Sequence, residues 1–178
     1  MKKTIAIIMA LAMATTASIS ASAASIDQST TANGETSFSF EYKYDPTYTV
    51  EIPASVQMSK QGTQVDIKAE NVANLDNQKV SVTIAGTDYY RNQMVLDGNT
   101  TEGPKTSMRY QFVLPDETVV ETTGQKDQVN GVELASFTED GTKSITAKPV
   151  LNTVTANSEG VTYTGTMTYA VSLVDLAD

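Results

Sequence analysis

The chain has 178 residues and contains no cysteine, histidine or tryptophan. These absences exclude thiol nucleophiles, Ser/His/Asp triads, imidazole bases, and zinc or haem sites with the usual ligands. The 12 basic and 21 acidic residues give a net charge of -9 without the basic block that nucleic-acid binding requires. We therefore expect one globular domain with no cofactor, no metal and no nucleic-acid partner.

The N-terminus has the three parts of a secretory signal peptide. A basic start at residues 1–3 precedes an apolar run from Ile5 to Met13 and the small residues Ala21–Ala23. A retained membrane anchor is the alternative, but the run is shorter than the roughly 20 apolar residues of a spanning helix. We predict that residues 1–23 are removed on export, leaving a secreted, cell-surface-associated protein that is not inserted in the membrane.

A flexible lead-in is predicted at residues 24–36, and a single domain at residues 37–178. The domain opens with aromatic residues at alternate positions, the pattern of a half-buried strand: Phe38, Phe40, Tyr42 and Tyr44. The same alternation resumes after Pro46 at Tyr48, Val50 and Ile52. This predicts two strands, or one strand kinked at Pro46, and the proline belongs at an edge or bend because it cannot donate to a ladder.

Further strands are predicted wherever apolar residues alternate. They are Val65–Ala69, Val80–Ile84, Met108–Leu114, Val132–Phe137 and Ile145–Leu151, with Pro149 indicating an edge or bulge. Turn-forming residues separate them at Asp76-Asn77, Asp97-Gly98-Asn99, Asn130-Gly131 and Asp140-Gly141.

The last predicted strand runs from Val161 to Leu173, apolar on one face and rich in threonine on the other. Gly165 breaks the alternation and indicates a bulge or a close backbone approach. No segment shows a helical period of 3.6. We therefore predict an all-β fold, an antiparallel β-sandwich of the Ig-like or jelly-roll-like kind with about seven to nine strands, and a barrel as the alternative.

Two short stretches resemble a known family. Tyr48 to Val56 reads YTVEIPASV, and Gly160 to Tyr169 reads GVTYTGTMTY. Together they resemble the stretches that bracket small secreted β-sandwich surface proteins of Firmicutes, which are similar to WxL-type cell-surface domains. The resemblance implies a Gram-positive surface protein. It does not extend to wall attachment, because this chain lacks the tryptophan of the WxL motif.

The architecture also resembles fibre subunits of bacterial pili and biofilm matrix, in which an extended N-terminal segment completes a neighbour's sheet. Phe38, Phe40, Tyr42 and Tyr44 are therefore candidate partner-binding residues, although the same pattern suits the first strand of the chain's own sheet. The resulting hypothesis is a non-enzymatic, exported surface or matrix protein that acts in adhesion or assembly. Its partners would be copies of itself or other surface proteins.

The alternative function is a secreted carbohydrate-binding module, with polysaccharide as the partner. Tyr89, Tyr90 and Arg91 form an aromatic and cationic cluster outside strict alternation, and aromatic rings stack on the apolar faces of sugars. The competing interpretation is that one tyrosine faces the core and the other closes a strand end.

Neighbouring acidic residues provide little support for catalysis. Asp116-Glu117 and Glu139-Asp140 are adjacent pairs, and adjacent residues of a strand point to opposite faces, so we expect no glycosidase pair and no enzyme. Asp97, Asn99 and Glu102 suggest a polar hairpin tip more than a calcium loop, since they lack the spacing of a calcium-binding motif.

Overall fold

The computed structural model describes residues 5–8, 38–99, 106–154 and 160–176. No α-helix occurs in this part of the chain, and none of its helical segments is long and apolar enough to cross a membrane. Two short 3₁₀ helices lie at Tyr90–Asn92 and Leu151–Thr153. The strands are β1 (Ile5–Ile8), β2 (Thr47–Pro53), β3 (Thr63–Ala73), β4 (Gln78–Thr87), β5 (Val95–Asn99), β6 (Thr106–Val113), β7 (Val119–Val120), β8 (Glu133–Phe137), β9 (Gly141–Pro149), β10 (Thr162–Thr164) and β11 (Met167–Asp175).

The strands form two antiparallel sheets. The larger has the order β1-β2-β3-β9-β6-β5-β10, with β7 also paired to β6, and the smaller has the order β11-β4-β8. The predicted all-β sandwich is confirmed, and the sheets do not close into the alternative barrel. The described residues form eleven strands, ten of them within the predicted domain, where seven to nine were predicted. The difference arises because the sequence predicts a turn inside β5, β7 has only two residues, and the sequence predicts β10 and β11 as one strand.

The core lies between the sheets and is built from alternate residues of each strand. On β2 the inward side chains of Tyr48, Val50 and Ile52 are buried, and the predicted phases of β3 and β4 are confirmed in the same way. Each large apolar side chain buried there stabilises the fold by about 1.5–3 kcal/mol. Two-residue alternation and burial on one face thus account for most of the structure.

The predicted C-terminal strand is two strands in different sheets. β10 pairs with β5 in the larger sheet, and β11 pairs with β4 in the smaller one, so the chain crosses between the sheets at Gly165 and Thr166. A Cβ atom at Gly165 would lie 2.9 Å from Leu96 Cδ2. The expected close approach is therefore confirmed, but its cause is a crossover rather than a bulge.

Two other local predictions are wrong. The predicted turn at Asp97-Gly98-Asn99 lies inside β5, where Gly98 pairs with Tyr163 and where a Cβ atom would overlap Thr106 Oγ1. Pro149 does not mark an edge strand, because β9 is paired to β3 on one side and β6 on the other. It is tolerated because it is the last residue of the strand.

The aromatic segment, Phe38–Tyr44, is not a strand of the chain's own sheets. Regular structure after it begins at Thr47, and Phe38 and Phe40 are 93% and 87% exposed. The prediction of a strand here is therefore wrong for the single chain. Alternating aromatic residues give the segment one apolar face. A β-strand forms only where the backbone also pairs by hydrogen bonds with a neighbouring strand.

Candidate functional site

Three rings of the aromatic segment, those of Phe40, Tyr42 and Tyr44, lie side by side although the segment belongs to neither sheet. The ring centroids of Phe40 and Tyr42 lie 6.4 Å apart, and those of Tyr42 and Tyr44 lie 5.2 Å apart, edge to face. Side chains two residues apart share a face only when the backbone is extended. The segment therefore presents an aromatic face that is open to solvent, as Tyr42 and Tyr44 are also exposed.

Polar contacts hold the base of this segment against the turn between β3 and β4. Lys43 Nζ lies 3.5 Å from Asp76 Oδ2 and 3.7 Å from Glu41 Oε1. Asn74 Nδ2 donates a hydrogen bond of 3.3 Å to the carbonyl oxygen of Asp45. These exposed contacts contribute little stability. The segment leaves from this end of the sandwich because it leads directly into β2, which begins at Thr47 opposite Ala73.

A second feature is the outer edge of β11. This strand pairs with β4 from Met167 to Asp175, and its other edge carries no strand among the residues that the structure describes. Its inward side chains, Met167, Tyr169, Val171 and Leu173, are only half-buried, whereas those of β4 are fully buried. The apolar interior therefore remains partly open along β11.

A cavity of about 740 Å³ lies between the sheets at the Met167 end of β11. Its floor includes Tyr110 and Phe112, whose rings meet edge to face at 6.0 Å. Burial is the main cause that raises the pKa of the Tyr110 phenol, and burial also raises the pKa of the Tyr169 phenol. We call this cavity, together with the inward face and outer edge of β11, the β11 groove.

The two stretches that resemble a surface-protein family meet at this groove, although about a hundred residues separate them in the sequence. Tyr48–Val56 forms β2 and the loop after it, and Gly160–Tyr169 forms β10, the crossover and the start of β11. Pro53–Val56 and Val161–Met167 both line the cavity. Sequence analysis did not find this site, because the alternation of β11 did not reveal that the strand lies at an edge.

The predicted aromatic and cationic cluster is brought together in a loop between β4 and β5. Tyr90 is 68% exposed, and the Arg91 guanidinium carbon lies 5.3 Å from the centroid of its ring. Arg91 Nε donates to the Tyr90 hydroxyl at 3.1 Å. Tyr89 is half-buried but does not belong to the core. Tyr90 and Arg91 are therefore the most exposed members, and Tyr89 lines the cavity beside them.

Backbone geometry makes this loop distinctive. Arg91 and Asn92 have φ values of 56° and 54°, in the left-handed region that most residues avoid. Asn92 Oδ1 accepts a hydrogen bond of 3.3 Å from the Thr87 amide, and the Asn92 carbonyl accepts one of 3.3 Å from Val129. A cavity of about 560 Å³ beside the loop is also lined by residues that sequence analysis missed, Gln93, Gln125 and Lys126.

Two of the acidic residues considered for catalysis accept hydrogen bonds from backbone amides. Asp116 Oδ1 accepts a hydrogen bond of 3.0 Å from the Thr118 amide, which lowers the pKa of Asp116. Asp140 Oδ1 accepts one of 2.7 Å from the Val72 amide. Glu102 lies outside the described residues. Within the described ranges, no group of three acidic residues lies close enough together to hold a metal ion.

Comparison with protein-family models, with curated proteins and with solved structures found no match to this chain. The likeness to WxL-type surface domains therefore stays an expectation drawn from the two short stretches. The described features that can support a function are the aromatic segment, the β11 groove and the Tyr90–Arg91 loop.

Proposed function

We propose that this protein is a non-enzymatic, exported subunit of a bacterial surface or extracellular matrix. Its copies assemble when the aromatic segment of one subunit adds a strand to a neighbour. The observation that carries this proposal is that four aromatic residues at alternate positions lie outside both sheets and are exposed. A soluble domain rarely leaves such a row uncovered unless a partner covers it.

The free energy gained by burying the aromatic side chains can be compared with the free-energy cost of association. Burying an aromatic side chain of this kind contributes about 1.5–3 kcal/mol, and strand addition also pairs backbone groups along the segment. Four such side chains together with a backbone ladder are comparable to the cost of association, which is about 4–15 kcal/mol. Burial of the four rings is therefore of the same order as the association cost, and the backbone ladder must supply part of the net stability of the joint.

Export rests on the signal-peptide pattern of residues 1–23. In the full-length chain, β1 lies inside this region and pairs with β2, from Ile5 opposite Pro53 to Ile8 opposite Val50. We expect the exported form to begin at or within a residue or two of Ala24, which mass spectrometry of a culture supernatant measures. Recovery of only the uncleaved chain in the membrane fraction would contradict export.

Assembly is tested with the mature chain, residues 24–178. Size-exclusion chromatography and negative-stain imaging should show large species or fibres that persist in moderate denaturant. The matched control replaces Phe38, Phe40, Tyr42 and Tyr44 by serine, which keeps chain length and charge. This control should remain monomeric, whereas an unchanged mature protein that stays monomeric at high concentration would contradict the proposal.

The Tyr90–Arg91 loop supports carbohydrate binding as a second candidate function. An exposed ring, a guanidinium beside it and amide side chains around a shallow cavity match the surface that binds a sugar ring. In a gel that contains polysaccharide, the protein should migrate more slowly than in a plain gel. Tyr90→Ala should abolish the shift, and Tyr42→Ala, which removes an exposed ring elsewhere, should not.

A further inference from the structure

We propose that the β11 groove is the acceptor site for the aromatic segment of a second copy, which becomes an added strand of the smaller sheet. This inference rests on the proposed function and identifies the surface that receives the strand. It also sets the arrangement of subunits, which is head to tail.

The β11 groove has the two properties that an added strand requires. The outer edge of β11 is unpaired among the described residues, so its backbone groups are free to form a ladder. The inward side chains of Met167, Tyr169, Val171 and Leu173 are half-buried and leave apolar surface beside that edge. An added strand gains backbone hydrogen bonds and covers this surface at the same time.

The aromatic segment matches β11 in length and period. Four aromatic residues spaced by two meet four inward residues of β11 that are also spaced by two. Aromatic and β-branched or aliphatic residues are favourable cross-strand neighbours. On the other face, Ser39, Glu41 and Lys43 meet the exposed Thr168, Ala170 and Ser172, so no like charges are opposed.

The buried area is that of a stable interface. Aromatic side chains bury about 150–250 Å² each, so four of them bury roughly 600–1,000 Å². A standard protein interface buries about 800 Å² on each partner. The cavity of about 740 Å³ at the Met167 end gives room for side chains between the sheets.

The segment and the open end of the groove lie at opposite ends of the sandwich. Lys43 contacts Asp76 in the turn that leads into β4, and β4 begins with Gln78 opposite Asp175. The cavity lies at the other end of β11, about 30 Å away for nine residues at roughly 3.3 Å each. A donor at one end and an acceptor at the other make a heterologous contact, which closes into a ring or propagates as an open fibre depending on the rotation between subunits.

The edge of β2 is one competing acceptor, and β8 and β10 are the other strands that end a sheet among the described residues. In the full-length chain β1 covers that edge, and removal of residues 1–23 would free it. With β1 in place, the inward side chains of β2 are buried, at 9% exposure for Tyr48 and 0% for Val50. β11 offers free backbone groups together with uncovered apolar surface already in the uncleaved chain, whereas the edge of β2 becomes free only after cleavage.

The absence of cysteine makes disulfide trapping a clean test. Glu41 is the middle residue of the segment and Ala170 lies at the middle of the matching part of β11, so the two are opposed in either strand direction. Mature Glu41→Cys protein is mixed with mature Ala170→Cys protein, oxidised and run on a non-reducing gel. A disulfide requires Cα atoms within about 7 Å. The control mixture replaces Ala170→Cys by Glu51→Cys on β2.

A covalent dimer at least tenfold more abundant with Ala170→Cys than with Glu51→Cys supports the proposal. The reverse ratio overturns the β11 groove as the acceptor but leaves assembly by strand addition intact. A double Glu41→Cys, Ala170→Cys chain that closes only on itself places the segment in its own groove and also overturns the proposal. If no disulfide forms and sizing shows monomers, both this inference and the proposed function fail.

Discussion

Lys43 Nζ lies 3.5 Å from Asp76 Oδ2, and this contact joins the base of the aromatic segment to the turn between β3 and β4. Asp76 has a φ of 53°, in the left-handed region. Both side chains are more than half exposed, so the ion pair is screened by solvent. The contact marks the place where the segment leaves the sandwich, at the end opposite the cavity of the β11 groove, and that place is fixed by the start of β2 at Thr47.

Two substitutions of Asp76 separate the contribution of its charge to stability from the contribution of its left-handed backbone conformation. Asp76→Asn removes the ion pair but keeps a residue that tolerates the left-handed region, so the free energy of unfolding should change by less than about 1 kcal/mol. Asp76→Ala adds backbone strain and should cost about 1–2 kcal/mol. Denaturant unfolding of the two variants measures the difference. If both variants lost the same free energy of unfolding, alanine at position 76 would cause no backbone strain in this turn.

Replacing the exposed aromatic residues should separate stability from assembly. Phe38→Ser and Phe40→Ser remove rings that contribute almost nothing to the isolated fold, so the melting temperature of the monomer should change little. Assembly should weaken at least tenfold, because one lost aromatic contact corresponds to more than about 1.4 kcal/mol. Calorimetry and sedimentation measure the two quantities. A large loss of monomer stability would show that the segment packs on its own chain.

The phase of β11 predicts unequal effects at neighbouring positions. Met167 faces the groove and is half-buried, so Met167→Asp should cost about 2–4 kcal/mol by placing a charge against apolar side chains. Thr168 faces solvent, and Thr168→Asp should cost less than about 0.5 kcal/mol. Thermal melts of both variants provide the comparison. Similar destabilisation by the two substitutions would contradict the assigned phase.

Glu133 makes the stability of the smaller sheet depend on pH. Burial alone would raise the pKa of Glu133, but hydrogen bonds from Lys79 and Ser81 and the charge of Lys79 outweigh burial and lower it. A carboxyl whose pKa is lower in the folded state stabilises the fold above its unfolded pKa, and this contribution is lost as the pH falls through the folded pKa.

We therefore expect Glu133→Gln to cost about 1 kcal/mol at pH 7, since Glu133 is partly exposed and solvent screens the pair. The difference in the free energy of unfolding between the wild type and Glu133→Gln should disappear as the pH falls below about 4. Denaturant unfolding at a series of pH values measures it. A gap that stays constant down to pH 2 would assign the effect to packing rather than to charge.

Two-residue alternation was sufficient to predict the fold class and most of the core. Val65, Val80 and Tyr110 lie on buried faces because a strand with one apolar side must bury that side to be stable. The cluster at Tyr89–Arg91 was also found from sequence, because those residue types adjoin one another in the chain.

The β11 groove was decided only by the tertiary structure. Alternation shows that Met167 and Tyr169 face inward, but it does not show which sheet they join or whether a neighbour covers them. The crossover at Gly165 looked like a local irregularity, because the sequence carries the same period on both sides of it. The sheet in which each strand lies is set by pairing with residues far away in the chain.

For the aromatic segment, too, the sequence determined one property and the tertiary structure decided another. By itself the sequence determined that Phe38–Tyr44 has one apolar face in the extended conformation, since side-chain direction in such a chain depends only on position. Only the tertiary structure decided that this face is left uncovered and that the inward residues of β11 are only half-buried. A strand is stabilised by the edge it pairs with, and the availability of that edge is a property of the folded sheets rather than of the segment.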